Sequence, residues 1–433
     1  MRTAAVAVVL ALSWSAQANE LTTRAAAMLQ EGRAAAAFAL LDKEESVRAG
    51  EVEFDLLLGI AALDIGQNTR AVFALERVLA VQPEHARARA ELARAFLALG
   101  DTAGARKEFE SVQKQGVPPE VMVTIDRFLD AVDRVDSVNR PTLRGFVEAS
   151  AGFDSNVNVG PGRTSVAIPG FGGAPFRLAD NSRATDAWFG TVGGGANYRK
   201  PITPDIAVVA GASGVLRNNA GAQQFDSLSL DAYAGFVLTQ ERHVISANYQ
   251  FNQYDAASDR YRLANGVSGQ WQYNADARNQ WSVFFQYANL KYPGQEVRDA
   301  DRWVAGAAYA YALRGGTILY ASAYGLTERP RDGDKMWLGF DGYGLRAGAQ
   351  MNLNAQTEAF IAGSVESRRY GAMDPSFQTR RVDGQYDLVF GVNYVPARLW
   401  KITPRVSWTQ NESNIDLYKY HRATATVVVR RDF

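Results

Sequence analysis

Apolar residues in the first third of the chain recur at spacings of three and four. From Leu21 to Val138 the composition is mainly Ala, Leu, Arg and Glu, with few β-branched residues. These residue types favour helix, and the spacing puts the apolar side chains on one helix face. A representative set is Phe54, Leu57, Leu58, Ala61 and Ala62. We therefore predict that this part of the chain is helical.

A fixed period lies beneath the helical pattern. Three sets of residues recur every 34 positions: Gly32, Gly66 and Gly100; Ala37, Ala71 and Ala105; and Leu41, Leu75 and Phe109. This is the period of the tetratricopeptide repeat (TPR), a pair of packed helices. Small residues such as Gly59 and Ala93 suit helix crossings, and glycine suits turns with positive φ. The alternative is an unrelated helical bundle.

We place the repeats at about 18–51, 52–85 and 86–119, with the first one degenerate. Pro118-Pro119 then begins one more helix, predicted over 120–138. Terminal repeats need a cap over their exposed apolar surface, and this helix is suited to that role. Its predicted apolar face consists of Val121, Ile125, Phe128, Leu129 and Val132.

After Arg140-Pro141 the pattern changes to an alternation with period two. Apolar residues alternate in one segment (Trp281, Val283, Phe285 and Tyr287) and polar residues in another (Ser246, Asn248, Gln250 and Asn252). An apolar face opposite a polar face is what a transmembrane barrel with a wet lumen requires. A soluble β-sandwich has the same period. Segment length, even spacing and the export signal described below favour the barrel.

Fourteen strands account for the alternating segments, and twelve or sixteen remain open. They lie near 142–153, 185–199, 205–217, 226–238, 243–254, 261–274, 279–290, 301–313, 317–328, 338–353, 356–368, 381–395, 399–410 and 418–433. Short connections alternate with longer ones, and the longest covers 154–184. Outer-membrane barrels have short periplasmic turns and long external loops. An even count returns both barrel ends to the periplasm, so the repeats are predicted to be periplasmic.

The two ends of the chain carry export and assembly features. Arg2, the apolar run Ala4 to Leu12 and Ala16-Gln17-Ala18 have the order of a cleaved signal peptide, predicted over residues 1–18. The predicted domains are then a periplasmic TPR domain over 19–138 and an outer-membrane β-barrel over 142–433. Phe433 ends an alternating strand and resembles the signal read by the barrel assembly machinery. Arg431 interrupts the apolar face of that strand, so we expect it at the periplasmic interface.

Composition and motifs give no sign of catalysis or of metal, cofactor or nucleic-acid binding. Lys and Arg total 46, as do Asp and Glu, and no basic run suggests a nucleic-acid partner. The chain has no Cys and three distant His, and no catalytic constellation stands out. We therefore expect no enzyme activity, cofactor or metal. The segment Asp154 to Asn158 has oxygen ligands at alternate positions, but Gly160 comes one place late for a calcium loop and the closing Glu is missing. A polar loop is the simpler interpretation.

The predicted architecture resembles a known family. A signal, a few TPRs and a fourteen-strand barrel that opens with Phe153, Asp154, Ser155, Asn156, Val157 and Asn158 are similar to the surface lipoprotein assembly modifier (Slam) family. The resemblance covers nearly all of the mature chain. It implies an outer-membrane translocon that helps deliver surface lipoproteins or related secreted proteins to the cell surface. The TPR domain would be the periplasmic adaptor for the client, alone or with a periplasmic chaperone.

Specific residues follow from this interpretation. Candidate client contacts on the helix over 86–98 are Arg87 and Arg94, for which surface solvation is the alternative. Predicted partners are outer-membrane lipid, the barrel assembly machinery and the exported client, with no nucleic acid. Two other functions remain open: an exopolysaccharide export porin with a TPR adaptor, and a scaffold without transport. A carbohydrate path would need lumen aromatics and carboxylates, for which Asp231, Asp383 and Asp387 qualify.

Overall fold

The chain has the α+β multidomain architecture expected from its two patterns. The computed structural model describes residues 20–313 and 316–433, so the predicted signal peptide lies outside the described residues. Two compact units divide between Asn139 and Arg140. The first is an α-helical TPR solenoid, and the second is an antiparallel β-barrel.

The helical unit consists of antiparallel helix pairs followed by a longer helix. Among the residues described, no helix is both long and apolar enough to cross a bilayer. Helix α1 covers 20–30, and the following helices are α2 Ala34–Asp42, α3 Glu45–Arg48, α4 Val52–Asp64, α5 Asn68–Val81, α6 Ala86–Ala98, α7 Thr102–Lys114 and α8 Pro119–Asn139. Gly66 and Gly100 turn the chain between α4 and α5 and between α6 and α7, each with a φ of +81°. A side chain there would be strained, which explains the glycine at this repeat position.

Small residues let the helices of a pair approach each other. A Cβ atom added at Gly59 would lie 2.6 Å from Cγ of Leu75, so α4 and α5 could not pack this closely with a larger residue. Ala71 and Ala105 are fully buried at the equivalent positions of α5 and α7. Helix α4 packs against α2, α5 and α6 and is therefore buried on nearly every side. These contacts confirm the crossing roles predicted from the repeat.

Helix α8 covers the end of the solenoid, with one difference from the prediction. Ile125, Leu129 and Val132 are buried, and the Phe128 ring stacks on Phe109 with centroids 5.2 Å apart. Val121 shares this face by its spacing, but it is 40% exposed and is not part of the core that α8 covers. The cause is that α8 packs through its middle turns, which leaves its first turn outside the core.

Fourteen strands close into a barrel in which every neighbouring pair is antiparallel. The closing junction pairs β1 with β16 from Phe146 opposite Asp432 to Asp154 opposite Thr424, and we call it the seam. Strands β2 and β3 form a small separate hairpin inside the first loop. The strands are β1 Thr142–Asp154, β2 Ser165–Ala167, β3 Pro175–Arg177, β4 Ala187–Pro201, β5 Ile206–Asn219, β6 Ser227–Gln240, β7 His243–Ala256, β8 Asp259–Asn274, β9 Asn279–Lys291, β10 Ala300–Ala312, β11 Ile318–Pro330, β12 Phe340–Asn352, β13 Thr357–Asp374, β14 Thr379–Tyr394, β15 Trp400–Ser413 and β16 Tyr420–Asp432.

The large apolar side chains point out of the barrel. Trp281 and Val283 of β9 are 54% and 50% exposed, whereas Ser282 between them is 9% exposed. A soluble sandwich would bury the apolar set, so the exposed apolar face is the one a bilayer would cover. Aromatic pairs mark both ends of this face, with Trp281 against Tyr309 and Tyr287 against Trp303, each at 4.4 Å between centroids.

The two rims of the barrel differ in their connections. Short turns such as residues 202–205 and 241–242 join strands at one rim, which we call the turn rim. The opposite end, where the long connection after β1 lies, is the loop rim. At the loop rim, β7 and β8 are joined by Ala257 and Ser258 alone, both with positive φ, and β13 and β14 by residues 375–378. The prediction of long connections over 255–260 and 369–380 is therefore wrong. The strands continue past a bulge in each hairpin, so residues assigned to loops are paired instead.

Candidate functional site

The family-like segment leaves β1 at the loop rim, where a buried aspartate anchors it. The Asp154 side chain is fully buried, and its carboxylate accepts hydrogen bonds from Arg422 at 2.5 and 3.0 Å and from Arg217 at 2.8 Å. The Arg217 guanidinium also lies 3.8 Å from the centroid of the Phe189 ring. Two guanidinium groups therefore already bind the carboxylate that would have to bind the cation in a calcium loop.

The rest of the segment ties β1 to β16 and to the loop that follows. The Asn156 side chain is almost completely buried, and its Nδ2 donates to the backbone oxygens of Gly160 and His421 at 2.9 and 3.1 Å. Nδ2 of Asn158 donates to the backbone oxygen of Arg183 at 2.6 Å. The backbone N–H groups of Ala423 and Val157 complete the set by donating to Ser155 Oγ and to the Thr185 carbonyl, at 2.8 and 2.7 Å. We call residues 154–158 with Arg217 and Arg422 the clasp.

The loop held by the clasp reaches over neighbouring strands at the loop rim. Arg163 lies 3.2 Å from Asp416 in the β15–β16 loop. The backbone N–H of Gly170 donates to the Ser376 carbonyl in the β13–β14 turn at 2.8 Å. The long connection predicted over 154–184 is therefore a folded cover with its own hairpin. Its base is the clasp, which the short polar motif alone did not reveal.

Carboxylates and aromatic rings face the lumen, but the chain itself occupies them. Asp383 is bound by the Arg381 guanidinium at 2.5 and 3.0 Å, and that guanidinium also lies 3.3 Å from the centroid of the Tyr418 ring. Asp387 accepts from Thr409 at 2.7 Å and from Ser364 at 3.0 Å. Asp231 accepts from Asn252 at 2.9 Å. The groups proposed for a carbohydrate path are thus engaged in contacts within the barrel.

Two lumen cavities differ in charge. One, of about 290 Å³, has Asp231 as its charged lining residue, and its other polar lining residues are amides and hydroxyls, including Asn197, Gln250 and Gln286. The other, of about 400 Å³, lies beside the seam on the lumen side and contains three arginines, Arg217, Arg405 and Arg422. We call it the seam cavity. Sequence reasoning missed these arginines because alternation assigns a residue to a face without saying which strands meet.

The two candidate arginines of the helical unit have different surroundings. Arg94 pairs with Glu91 at 2.5 Å and with Asp64 at 3.4 Å, and its guanidinium lies 5.8 Å from the centroid of the Phe128 ring. Arg87 is exposed, and no carboxylate of the described residues pairs with it. Arg94 therefore contributes to packing within the unit, and Arg87 is the one free to contact a partner.

A surface pocket of about 530 Å³ lies on another part of the helical unit. It is lined by Glu45, Arg70, Arg77 and the exposed Phe73 ring, among others. Asp55 is fully buried and binds Arg77 at 2.6 Å. Hydrogen bonds to Asp55 are the largest contribution that raises the pKa of Arg77, with Glu45 adding to it. This network joins α3, α4 and α5 through Glu45, Asp55 and Arg77.

The C-terminal residue completes the seam at the turn rim. The backbone N–H of Phe433 donates to the Gly145 carbonyl at 2.8 Å, beyond the last residue pair of β1 and β16. Its exposed ring lies 5.2 Å from the Arg431 guanidinium, which also lies 5.3 Å from the Trp400 ring centroid. Arg431 thus lies at the turn-rim end of β16 between two aromatic rings.

Several solved structures are similar to parts of this chain. The P. putida toluene transporter TodX covers 67% of this chain and 90% of its own, with 10% identity and a TM-score of 0.36. The Yersinia enterocolitica type III secretion translocator chaperone SycD covers 27% of this chain and 91% of its own, with 20% identity and a TM-score of 0.25. PcrH in complex with the chaperone binding region of PopD covers 28% and 93%, with 18% identity and a TM-score of 0.26. No curated protein sequence matches the chain.

Two family descriptions match the sequence itself. Residues 56–117 match a tetratricopeptide repeat, which agrees with α4 to α7. Residues 217–433 match the surface lipoprotein assembly modifier family, over half of the 433-residue chain. This match covers β6 to β16, the end of β5 and both clasp arginines. The chain belongs to the surface lipoprotein assembly modifier family.

Proposed function

We propose that this chain is an outer-membrane translocon that helps deliver surface lipoproteins or related secreted proteins to the cell surface. The observation that carries the proposal is the combination, in one member of this family, of a closed barrel with a polar lumen and a TPR unit. Helix α8 ends at Asn139 and β1 begins at Thr142, so the TPR unit leads directly into the barrel strand. The proposal assigns the chain no catalytic step.

The dimensions of the barrel limit how a client can pass. Fourteen strands enclose a lumen narrower than that of porins with sixteen or more strands, so an extended segment suits it and a folded globular domain does not. TPR solenoids bind extended or helical segments along their concave face. We propose that the TPR unit receives an incompletely folded client, or the client's chaperone, with Arg87 as a candidate contact. The terminal Phe433 is the proposed contact of the barrel assembly machinery.

The proposed localisation is the outer membrane, with the TPR unit in the periplasm. The chain enters the barrel at Thr142 and leaves it at Phe433, both at the turn rim, and outer-membrane barrels have their short turns in the periplasm. A protease site inserted at Gly172-Gly173 in the long loop should be cut in intact cells, and one inserted at Gly100 should be cut only after the outer membrane is opened. Cleavage at Gly100 alone in intact cells would reverse the proposed topology.

Surface display of a client is the direct test of function. The full chain is co-expressed with a candidate surface lipoprotein in a Gram-negative host that lacks this family, and the lipoprotein is labelled with antibody on intact cells. We expect labelling to rise well above that of cells with an empty vector, while the total lipoprotein stays the same. Equal labelling in the two strains would exclude delivery of that client and favour a scaffold.

The exopolysaccharide alternative receives less support from the lumen. Carbohydrate paths use free aromatic faces and free carboxylates, and here Arg381 covers Tyr418 and Tyr370 and binds Asp383. Arg298 covers the rings of Tyr261 and Tyr292 in the same way. Export of polysaccharide by cells that carry this chain, without any effect on lipoprotein display, would reinstate that alternative.

A further inference from the structure

Three arginines and one acidic residue line the seam cavity: Arg217, Arg405, Arg422 and Glu148. Asp154 is shared by Arg217 and Arg422, and Arg405 has no carboxylate partner among the described residues. At the turn-rim end, Arg430 lies 3.8 Å from Glu148 and 2.7 Å from Asp432. Asp387 also lies beside the cavity, where it accepts a hydrogen bond from the lining hydroxyl of Thr409 at 2.7 Å. Arg405 therefore differs from Arg217, Arg422 and Arg430, each of which has a carboxylate partner.

The remaining walls of the cavity supply hydrogen-bond donors. Ser150 and Thr191 form one hydroxyl pair at 2.6 Å, and Ser407 and Thr424 form another at 2.6 Å. Within each pair one hydroxyl donates to the other, which leaves one O–H hydrogen of the pair free to donate elsewhere. An unpaired guanidinium beside free hydroxyl donors suits an acceptor with negative charge.

The cavity has room for such a group. Its volume of about 400 Å³ is within the range of small-molecule sites, and small side chains form the wall at the seam. Gly152 of β1 lies opposite Thr426 of β16, and the Phe189 ring packs over this glycine, where an added Cβ atom would lie 2.9 Å from Cζ of the ring. A guanidinium can bind two oxygens of a carboxylate or phosphate at once. The opposite charges strengthen both hydrogen bonds, so such a group suits the site better than a neutral ligand does.

We propose that the seam cavity binds an oxyanion, a carboxylate or a phosphate, with Arg405 as its main ligand and the hydroxyls of Ser150, Thr191, Ser407 and Thr424 as further donors. Arg217 and Arg422 add positive charge at the loop-rim end while they hold Asp154. The site is a property of the lumen and does not depend on translocation. An acidic peptide segment and a phosphorylated molecule are the two sources of such a group.

Calorimetric titration of the purified full chain in detergent at low salt tests the site with two probes, hexaglutamate and inorganic phosphate. We expect at least one probe to bind, and Arg405→Gln to weaken that binding about tenfold or more, since a hydrogen bond to a charged group is lost. Binding of hexaglutamate alone would identify a peptide carboxylate site, and binding of phosphate alone a phosphate site. Arg405→Lys keeps the charge and should retain part of the affinity.

The matched control is Arg346→Gln. Arg346 of β12 faces the lumen beside Ser364, has no carboxylate partner among the described residues, and lies three strands from β15. The affinity of Arg346→Gln for the probes should stay within about twofold of the wild type, because the lost charge is distant and its effect on the site is screened by solvent and salt. Heat-modifiable gel mobility verifies that each variant is folded. The proposal is overturned if neither probe binds the wild type, if Arg405→Gln binds as the wild type does, or if both variants lose affinity equally.

Discussion

Removing the helical unit is expected to reduce client display to the level of cells without the protein, while the barrel still assembles. The variant consists of residues 140–433 behind the predicted signal peptide, residues 1–18, and residues 140–433 form a compact unit of their own. Its lumen is intact, but the proposed receiving surface is missing. The client would then have to find the lumen by free diffusion, without a binding step that raises its local concentration. The measurement is antibody labelling of the client on intact cells.

A point substitution separates the receiving role from a general effect of truncation. Gly59→Leu places a side chain where even a Cβ atom would lie 2.6 Å from Cγ of Leu75, so α4 and α5 must separate. Overpacking of this kind costs about 1–3 kcal/mol and should disorder the second repeat without touching the barrel. Arg87→Ala, on the exposed face of α6, is the matched variant that leaves the repeats folded.

We expect Gly59→Leu to lower display strongly and Arg87→Ala to lower it in part. Heat-modifiable mobility of the barrel should be the same for the wild type and all three variants. If display remained at the wild-type level in the barrel alone, the helical unit would not be the receiving site. A loss of folded barrel in the truncated chain would instead show that the unit acts in assembly.

Asp154→Ala is expected to produce the largest loss of barrel stability of any single lumen substitution. It leaves Arg217 and Arg422 next to each other without their shared carboxylate, and breaking a buried ion pair from one side costs about 3–5 kcal/mol. The backbone N–H of Asn156 also loses its acceptor at 3.0 Å. The clasp should open, and the long loop should become sensitive to protease.

The urea midpoint of unfolding, measured by heat-modifiable mobility, quantifies this loss. Asp231→Ala is the matched control because Asp231 also faces the lumen but is exposed and binds only neutral groups, Asn252 and Ser229. Its cost should be below about 1 kcal/mol. The double variant Asp154→Ala/Arg422→Ala should lose less stability than the two single losses combined, because the groups act as one network. Equal midpoints for Asp154→Ala and Asp231→Ala would show that the clasp does not stabilise the barrel.

Local sequence patterns were sufficient to predict the helix pairs and the barrel strands of this protein. A 34-residue period with glycine at the turns predicts the helix pairs, because each repeat must bury its apolar face against the next one. Period-two alternation predicts the barrel strands, since successive side chains of a strand point to opposite faces. The closed barrel confirms the predicted count of fourteen. Both signals are carried by residues close together in the sequence.

Features that depend on where a strand or helix ends, or on what covers it, could not be predicted from local sequence patterns. Residues 255–260 and 369–380 appear as polar connections in the sequence, yet most of them are paired in extended hairpins. Val121 matches the apolar spacing of α8, yet it is 40% exposed and does not join the core cluster of Ile125, Leu129 and Val132. In each case the outcome depends on what the neighbouring element offers for pairing or packing.

The clasp and the seam cavity were decided by tertiary structure. The motif at 153–158 was visible as residues of a family pattern, but its binding partner Arg422 lies 268 positions away in the last strand. Barrel closure brings the first and last strands together, and only then do Asp154, Arg217 and Arg422 share one network. Alternation assigns Arg405 to the lumen face, whereas the register of β15 and β16 places it beside Thr426 and leaves it without a carboxylate. Charge pairing between distant strands depends on register, and register follows from the closed barrel as a whole.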